Sequence, residues 1–181
     1  MINKVIEGYN ATIFAYGQTN SGKTYTMDGY KYVMKDGKSS ISFSKKEYWG
    51  IIPRSIEYLC NRVNEEAKKG LRKYSIYCSY LQIYNERIYD LLNSSQLHSS
   101  SPGLKLRYKN DNFSVENLYT FECNSEREIY ELLHTGLKNR VIASHKLNYT
   151  SSRSHSIFCL TVESTSLTNS VSTLTHYRKI P

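Results

Sequence analysis

The sequence predicts an α/β fold, with helices flanking a central mixed β-sheet. Three observations carry this. Apolar, β-branched and aromatic runs alternate with segments of helical periodicity along the chain. One such run, "ATIFAY", leads directly into the glycine-bearing stretch "GQTNSGKT", Gly17 to Thr24, as a strand leads into a loop and a helix start. The composition is that of a single packed core: 181 residues, 39% hydrophobic and 22% charged. No apolar run approaches the ~20 residues that span a membrane. The first ten residues, "MINKVIEGYN", lack the apolar stretch of a signal peptide, so an intracellular address is expected.

The elements follow in order. Residues 11–16 read as a short buried strand. Lys23 to Met27 can open a helix, which the polar stretch after it breaks. With glycines at 29, 37 and 50, residues 28–50 read as a variable surface loop. Residues 52–69 form a helix whose apolar face is Ile52, Ile56, Leu59, Cys60, Val63 and Ala67. Pro53 suits its first turn, Lys68 and Lys69 its negative end, and Gly70 its stop.

Residues 74–84, "YSIYCSYLQIY", are too aromatic and β-branched for a loop and are expected to form a central strand. "ERIYDLL" is then expected to turn helical, and residues 93–103 to be a polar connector. Alternation over residues 104–120, split by "KNDN", suggests a β-hairpin. Residues 125–144 begin with Ser125 and Glu128 at capping-box spacing and continue as a helix. Residues 156–164, "SIFCLTVES", are a second apolar strand. No internal repeat is visible.

A net charge of +8 suits acidic partners of several kinds. The basic residues are spread out, with one loose cluster from Lys31 to Lys46, which is the pattern of a solvated loop and not of a nucleic-acid stripe. The 17 tyrosines fall mostly in strand-like and helix-like runs and read as core and sheet residues. Neither a membrane nor a nucleic-acid partner is expected. Cys60, Cys78, Cys123 and Cys159 show no CxxC spacing and read as buried free thiols.

The stretch from Gly17 to Thr24 has the parts that phosphate binding requires, those of a P-loop NTPase. Gly17 and Gly22 let the backbone curl so that successive N–H groups point inward. Asn20 tolerates left-handed backbone angles. Lys23 supplies a point charge for phosphate oxygens, and the hydroxyl of Thr24 can ligate Mg²⁺.

A second motif narrows the class. "NYTSSRSH", Asn148 to His155, precedes the last strand. Together with "GYNATIFAYGQTNSGKTYTMDG" it resembles the kinesin motor domain, where N-x-x-S-S-R-S-H is switch I. "GIIPRSIEYL", "SYLQIYNERIYDLL" and "GLKNRVIASHKLN" agree with the family in the same order. The resemblance covers about residues 3 to 165, leaving 166–181 as a divergent tail.

The resemblance implies a site. Gly17, Gln18, Thr19, Asn20, Ser21, Gly22, Lys23 and Thr24 would hold the phosphates of ATP, and Tyr25 would stack on adenine. Thr24 and Ser152 would meet Mg²⁺. Ser151 and Ser152 would approach the γ-phosphate, and Arg153 would clasp switch I shut. His155 would brace the loop. The implied partner is tubulin, in cytoplasmic microtubules of the cytoskeleton, with Lys105, Arg107 and Lys109 as a secondary contact. A complete protein would dimerise through a coiled-coil stalk absent from these residues.

The sequence also departs from the family. No R-x-R-P segment precedes the phosphate loop, and no D-x-A-G-x-E of switch II follows switch I. The chain therefore reads as an incomplete kinesin motor fold, roughly its middle half, and Arg153 lacks its expected glutamate. Turnover of ATP by the isolated chain is not expected. A non-catalytic module that docks on microtubules or another partner is the alternative reading.

Overall fold

The structure, a computed structural model, describes residues 1–29, 31–35, 38–42, 46–97, 101–109, 111–146 and 154–167. The chain divides into two compact units, Met1–Arg72 and Lys73–Pro181.

The first unit opens with a short helix, α1 (Ile2–Ile6), which the sequence did not announce. Residues 9–17 then run without regular structure, with Phe14 80% and Tyr16 95% exposed. The strand expected over 11–16 is therefore not formed. A run of β-formers becomes a strand only where a neighbouring strand takes its N–H and C=O groups. Among the described residues none pairs with it.

Helix α2 (Lys23–Asp28) follows the glycine loop, as expected. The stretch 28–50 is not simply a surface loop. It contains β1 (Lys31–Lys35) and β2 (Lys38–Ser42), paired antiparallel in the register Lys35↔Lys38. The Asp36-Gly37 dipeptide between them is a known hairpin signal that the glycine-breaker reading passes over. A 3-10 turn, Lys46–Tyr48, leads to helix α3 (Ile51–Lys68).

Pro53, Ile56, Leu59, Cys60 and Val63 are the buried residues of α3, while Ala67 is exposed, so the buried face ends a turn early. Helices α1 and α2 both pack on α3. Gly70, at φ 71°, stops it in the left-handed conformation expected there.

The second unit is a sheet with a helix on it. Its long strand β3 (Arg72–Tyr84) pairs with three others: β4 (Arg87–Asp90), β7 (Phe121–Cys123) and β8 (Ser154–Ser166). Strand β4 covers Leu81 to Tyr84 and β7 covers Ile76 to Cys78, both antiparallel. The expected helix over "ERIYDLL" is thus a strand. Asn85 (φ 47°) and Glu86 (φ 60°) both adopt the left-handed region, which makes a two-residue type I′ hairpin. The tight turn lays Arg87–Asp90 on β3, where Ile88, Tyr89 and Asp90 alternate into a ladder rather than a spiral.

Strands β5 (Leu106–Lys109) and β6 (Asn112–Val115) form the expected hairpin as a separate two-stranded sheet. Helix α4 (Glu126–Lys146) begins as predicted: Glu128 N–H donates to Ser125 Oγ at 3.3 Å. The Glu128 carboxylate accepts from Asn124 N–H at 2.9 Å, one residue before the cap itself. The predicted strand 156–164 extends to 154–166 as β8.

Tyr80, Leu91, Ile129, Leu133 and Leu137 are all but inaccessible and centre the core of this unit. Tyr80 lies against α4 at Gly136, where a Cβ would stand only 2.1 Å from its ring, and Phe158 of β8 meets it edge-on at 5.3 Å. Asp90 is fully buried. Its carboxylate accepts from Leu92 N–H and from Tyr119 N–H, each at 2.8 Å, tying the exit of β4 to the chain after β6. Burial pushes its pKa up, and these backbone N–H groups oppose the rise. Asn139 of α4 donates to Leu91 O at 2.7 Å, so the helix grips the same corner.

The tyrosines divide. Tyr80 and Tyr89 are core, but Tyr9, Tyr16, Tyr25, Tyr108 and Tyr119 are exposed, against their reading as core residues. Cys60, Cys78 and Cys123 are buried free thiols as expected, and Cys159 is half-buried.

Candidate nucleotide site

The site is built on the turn between residues 17 and 24. Ser21 N–H donates to Gln18 O at 3.2 Å, closing a tight turn. Asn20 (φ 65°) and Gly22 (φ 89°) take left-handed angles, which asparagine and glycine accept at least cost. At Gly17 a Cβ would lie 2.5 Å from Ser21 Oγ and would displace that hydroxyl. Gly22 is the N-cap of α2 and has no side chain to cap it. The first N–H groups of a helix have no intrahelical acceptor, so those of α2 are left for another partner.

Lys23 folds back over the loop. Its Nζ donates to Gly17 O at 2.7 Å and to Gln18 O at 2.6 Å, which brings the ammonium to the loop's inner curve. No acidic residue lies in the first turn of α2. Thr19, Ser21 and Thr24 are exposed and add hydroxyls, and the ring of Tyr25 is 52% exposed one residue on.

The set combines one ammonium, three hydroxyls and uncapped amides without a carboxylate. That donor chemistry fits a polyanion. Among the described residues no group of three or more His, Cys, Asp or Glu could hold a metal. The Thr24 hydroxyl is the side chain here that would help hold a cation, one accompanying a bound polyanion.

The other expected site residues are placed less fully. Ser151, Ser152 and Arg153 lie outside the described residues, as does most of 148–155. Ser154 is half-buried and His155 exposed at the start of β8. On the β5–β6 hairpin Lys105, Arg107 and Lys109 are all exposed, and Arg107 pairs with Glu116 at 2.8 Å.

One feature of the site is not apparent from the motif. Gly29 and Gly50 let two backbones touch: a Cβ on Gly29 would lie 2.0 Å from Gly50 N, and one on Gly50 would lie 2.5 Å from Met27 O. Gly50 N–H also points to Asp28 O at 3.4 Å. The far end of α2 is thereby seated on the entry of α3. In the sequence the two glycines look only like loop breakers, because 20 residues separate them.

Comparisons with known proteins agree on one family. A family profile described as the kinesin motor domain matches residues 1–179. The chain is 41% identical over 178 residues to the kinesin-like protein KIF15 of Homo sapiens, covering 94% of this chain and 12% of that protein. It is 35% identical over 192 residues to the kinesin-like protein KIP2 of Saccharomyces cerevisiae, covering 95% of this chain and 25% of that one. A solved structure of a fast kinesin superposes with a TM-score of 0.80 at 32% identity, over 94% of this chain and 44% of the solved chain. The α/β, P-loop NTPase fold class follows from that likeness.

Proposed function

The chain belongs to the kinesin motor-domain family, and from that premise we propose that residues 17–25 form its ATP site within a microtubule-based motor. The observation that carries the reading is the turn itself. Left-handed backbone at Asn20 and Gly22 curls it around an ammonium that has no carboxylate partner among the loop residues.

Bound MgATP supplies the phosphoryl group whose transfer to water drives a motor. The residues of the chain have separable tasks. Lys23 exchanges the carbonyls of Gly17 and Gln18 for phosphate oxygens, a charge-assisted contact stronger than the two neutral acceptors it leaves. The amides that follow Gly22 would bind phosphate oxygens, the Thr24 hydroxyl would help hold Mg²⁺, and Tyr25 would offer its exposed ring to the base. By the family likeness, Ser151 and Ser152 would meet the γ-phosphate, and Ser152 would help hold Mg²⁺. Arg153 holds that loop shut.

The partner is the acidic surface of tubulin, which the +8 charge favours, with exposed Lys105 and Lys109 on the β5–β6 hairpin adding to it. The chain spans 12% and 25% of the two relatives, so movement along cytoplasmic microtubules is a property proposed for the longer polypeptide.

A fluorescent ATP analogue titrated with Mg²⁺ tests the site. Lys23→Ala is expected to weaken binding at least tenfold, the loss of one charge-assisted contact of about 1.5–3 kcal/mol. Equal affinity in the two proteins would remove the basis of the assignment. Co-sedimentation with microtubules, in ATP and in ADP, tests the partner, and binding that changes with nucleotide is the expected result.

A further inference from the structure

We propose that Arg54 is a positioning residue for the phosphate loop, acting through backbone contacts at the far end of α2. The inference rests on the reading of residues 17–25 as a nucleotide site, but its first link does not.

The Arg54 side chain gathers three carbonyls of the segment before α3. Its Nε donates to Trp49 O at 2.8 Å, and its Nη2 to Lys46 O at 3.2 Å and Glu47 O at 3.1 Å. These are carbonyls of a short 3-10 turn and of the residue after it, and Lys46 O also accepts from Trp49 N–H at 3.2 Å, so Arg54 reinforces the turn's own hydrogen bond. A planar guanidinium with fixed donors suits such a fork in a way an ammonium does not. The same segment is held from outside by Lys46, which pairs with Glu57 and lies over the Trp49 ring at 5.3 Å.

The clamped segment ends at Gly50, and Gly50 abuts α2. With a hypothetical Gly29 Cβ only 2.0 Å from Gly50 N, the two backbones meet with no side chain between them. A shift in residues 46–50 therefore passes to Asp28 and Gly29 without a flexible group to absorb it.

Helix α2 cannot hold itself. Six residues make a helix about 9 Å long, under two turns and far below the length at which isolated helices persist in water. Its start carries Lys23 and Thr24, and its end rests on the segment that Arg54 holds. The side-chain hydrogen bonds of Arg54 go to Lys46, Glu47 and Trp49 and not to the phosphate loop, so its effect on ligand affinity would travel through α2.

Two measurements on the full chain test this: hydrogen exchange of the α2 amides, and affinity for a fluorescent ATP analogue with Mg²⁺. In Arg54→Ala the amides of Thr26, Met27 and Asp28 are expected to exchange about tenfold faster, the loss of one or two charged hydrogen bonds. Affinity should fall about three- to tenfold, while exchange at Leu133 and Leu137 in α4 stays at the wild-type rate. Arg54→Lys, with a single-point donor, should recover part of both losses. A general loss of stability would move α2 and α4 together and would show no such rescue.

Unchanged α2 exchange in Arg54→Ala overturns the role, as does faster exchange with unchanged affinity. If Arg54→Ala does not fold, Arg54→Met carries the same prediction with an unbranched stem and no hydrogen-bond donor. A wild-type chain that binds no nucleotide overturns the ATP-site reading, whereas the exchange at α2 still decides whether Arg54 holds that helix.

Discussion

Adding one methyl group at Gly136 should unseat α4 from the sheet. A Cβ at this position would lie 2.1 Å from Tyr80 Cδ1 and 2.7 Å from Cε1, where ordinary contact begins at 3.4 Å. The ring must therefore retreat by about 1.3 Å, the difference between 3.4 and 2.1. It has little room: Tyr80 is 2% exposed and Phe158 lies edge-on across it at 5.3 Å. Overpacking usually costs about 1–3 kcal/mol, and a displacement of this size in a closed pocket belongs at or above the top of that range.

Alanine regains about 1 kcal/mol of helix propensity over glycine. The net expectation for Gly136→Ala is a loss of about 2–3 kcal/mol. With a urea m-value of about 2 kcal/mol/M, the midpoint should fall by about 1–1.5 M. A double-mutant cycle with Tyr80→Leu identifies the cause, since removing the ring should relieve most of the added cost. Gly136→Ala as stable as the wild type, or additive with Tyr80→Leu, would refute the contact between α4 and β3 as described.

Further predictions concern the corner around Asp90 and the hairpin before it. Asp90→Ala leaves the N–H groups of Leu92 and Tyr119 without their acceptor and should cost about 2–4 kcal/mol, read by urea unfolding. Because burial raises the Asp90 pKa above its ordinary 3.8, the folded state holds this proton more tightly than the unfolded chain. Its contribution to stability should therefore decline as pH rises from 3.8 through the folded value, and the stability difference between wild type and Asp90→Asn should vary with pH only in that window. Glu86→Gly should stabilise by about 0.5–1 kcal/mol, because it relieves a left-handed φ of 60° at some cost in chain entropy, and Glu86→Val should destabilise. In a thermal melt the glycine variant should gain about 2 °C, and a loss would refute the type I′ turn.

What could be read without a structure was local. The phosphate turn is specified by residues within eight positions of one another, and the left-handed angles at Asn20 and Gly22 are what those residue types permit. The cap of α4, the stop at Gly70 and the apolar stripe of α3 up to Val63 are likewise set by neighbours a turn or two away. Even the family could be recognised from ordered short blocks of sequence.

Tertiary structure decided everything that depends on a pairing or packing partner. "ERIYDLL" has the apolar residues of a helix or a strand, and only its pairing with Leu81 to Tyr84 makes it β4. "ATIFAY" has strand propensity but no ladder partner among the described residues, so propensity alone leaves it irregular. Gly29 against Gly50, Gly136 against Tyr80, and Arg54 over three carbonyls are close approaches of backbone or ring. A helix period or a turn signal reports what one residue does to its neighbours. These contacts are set by packing between segments up to 56 positions apart, and no local pattern records such distances.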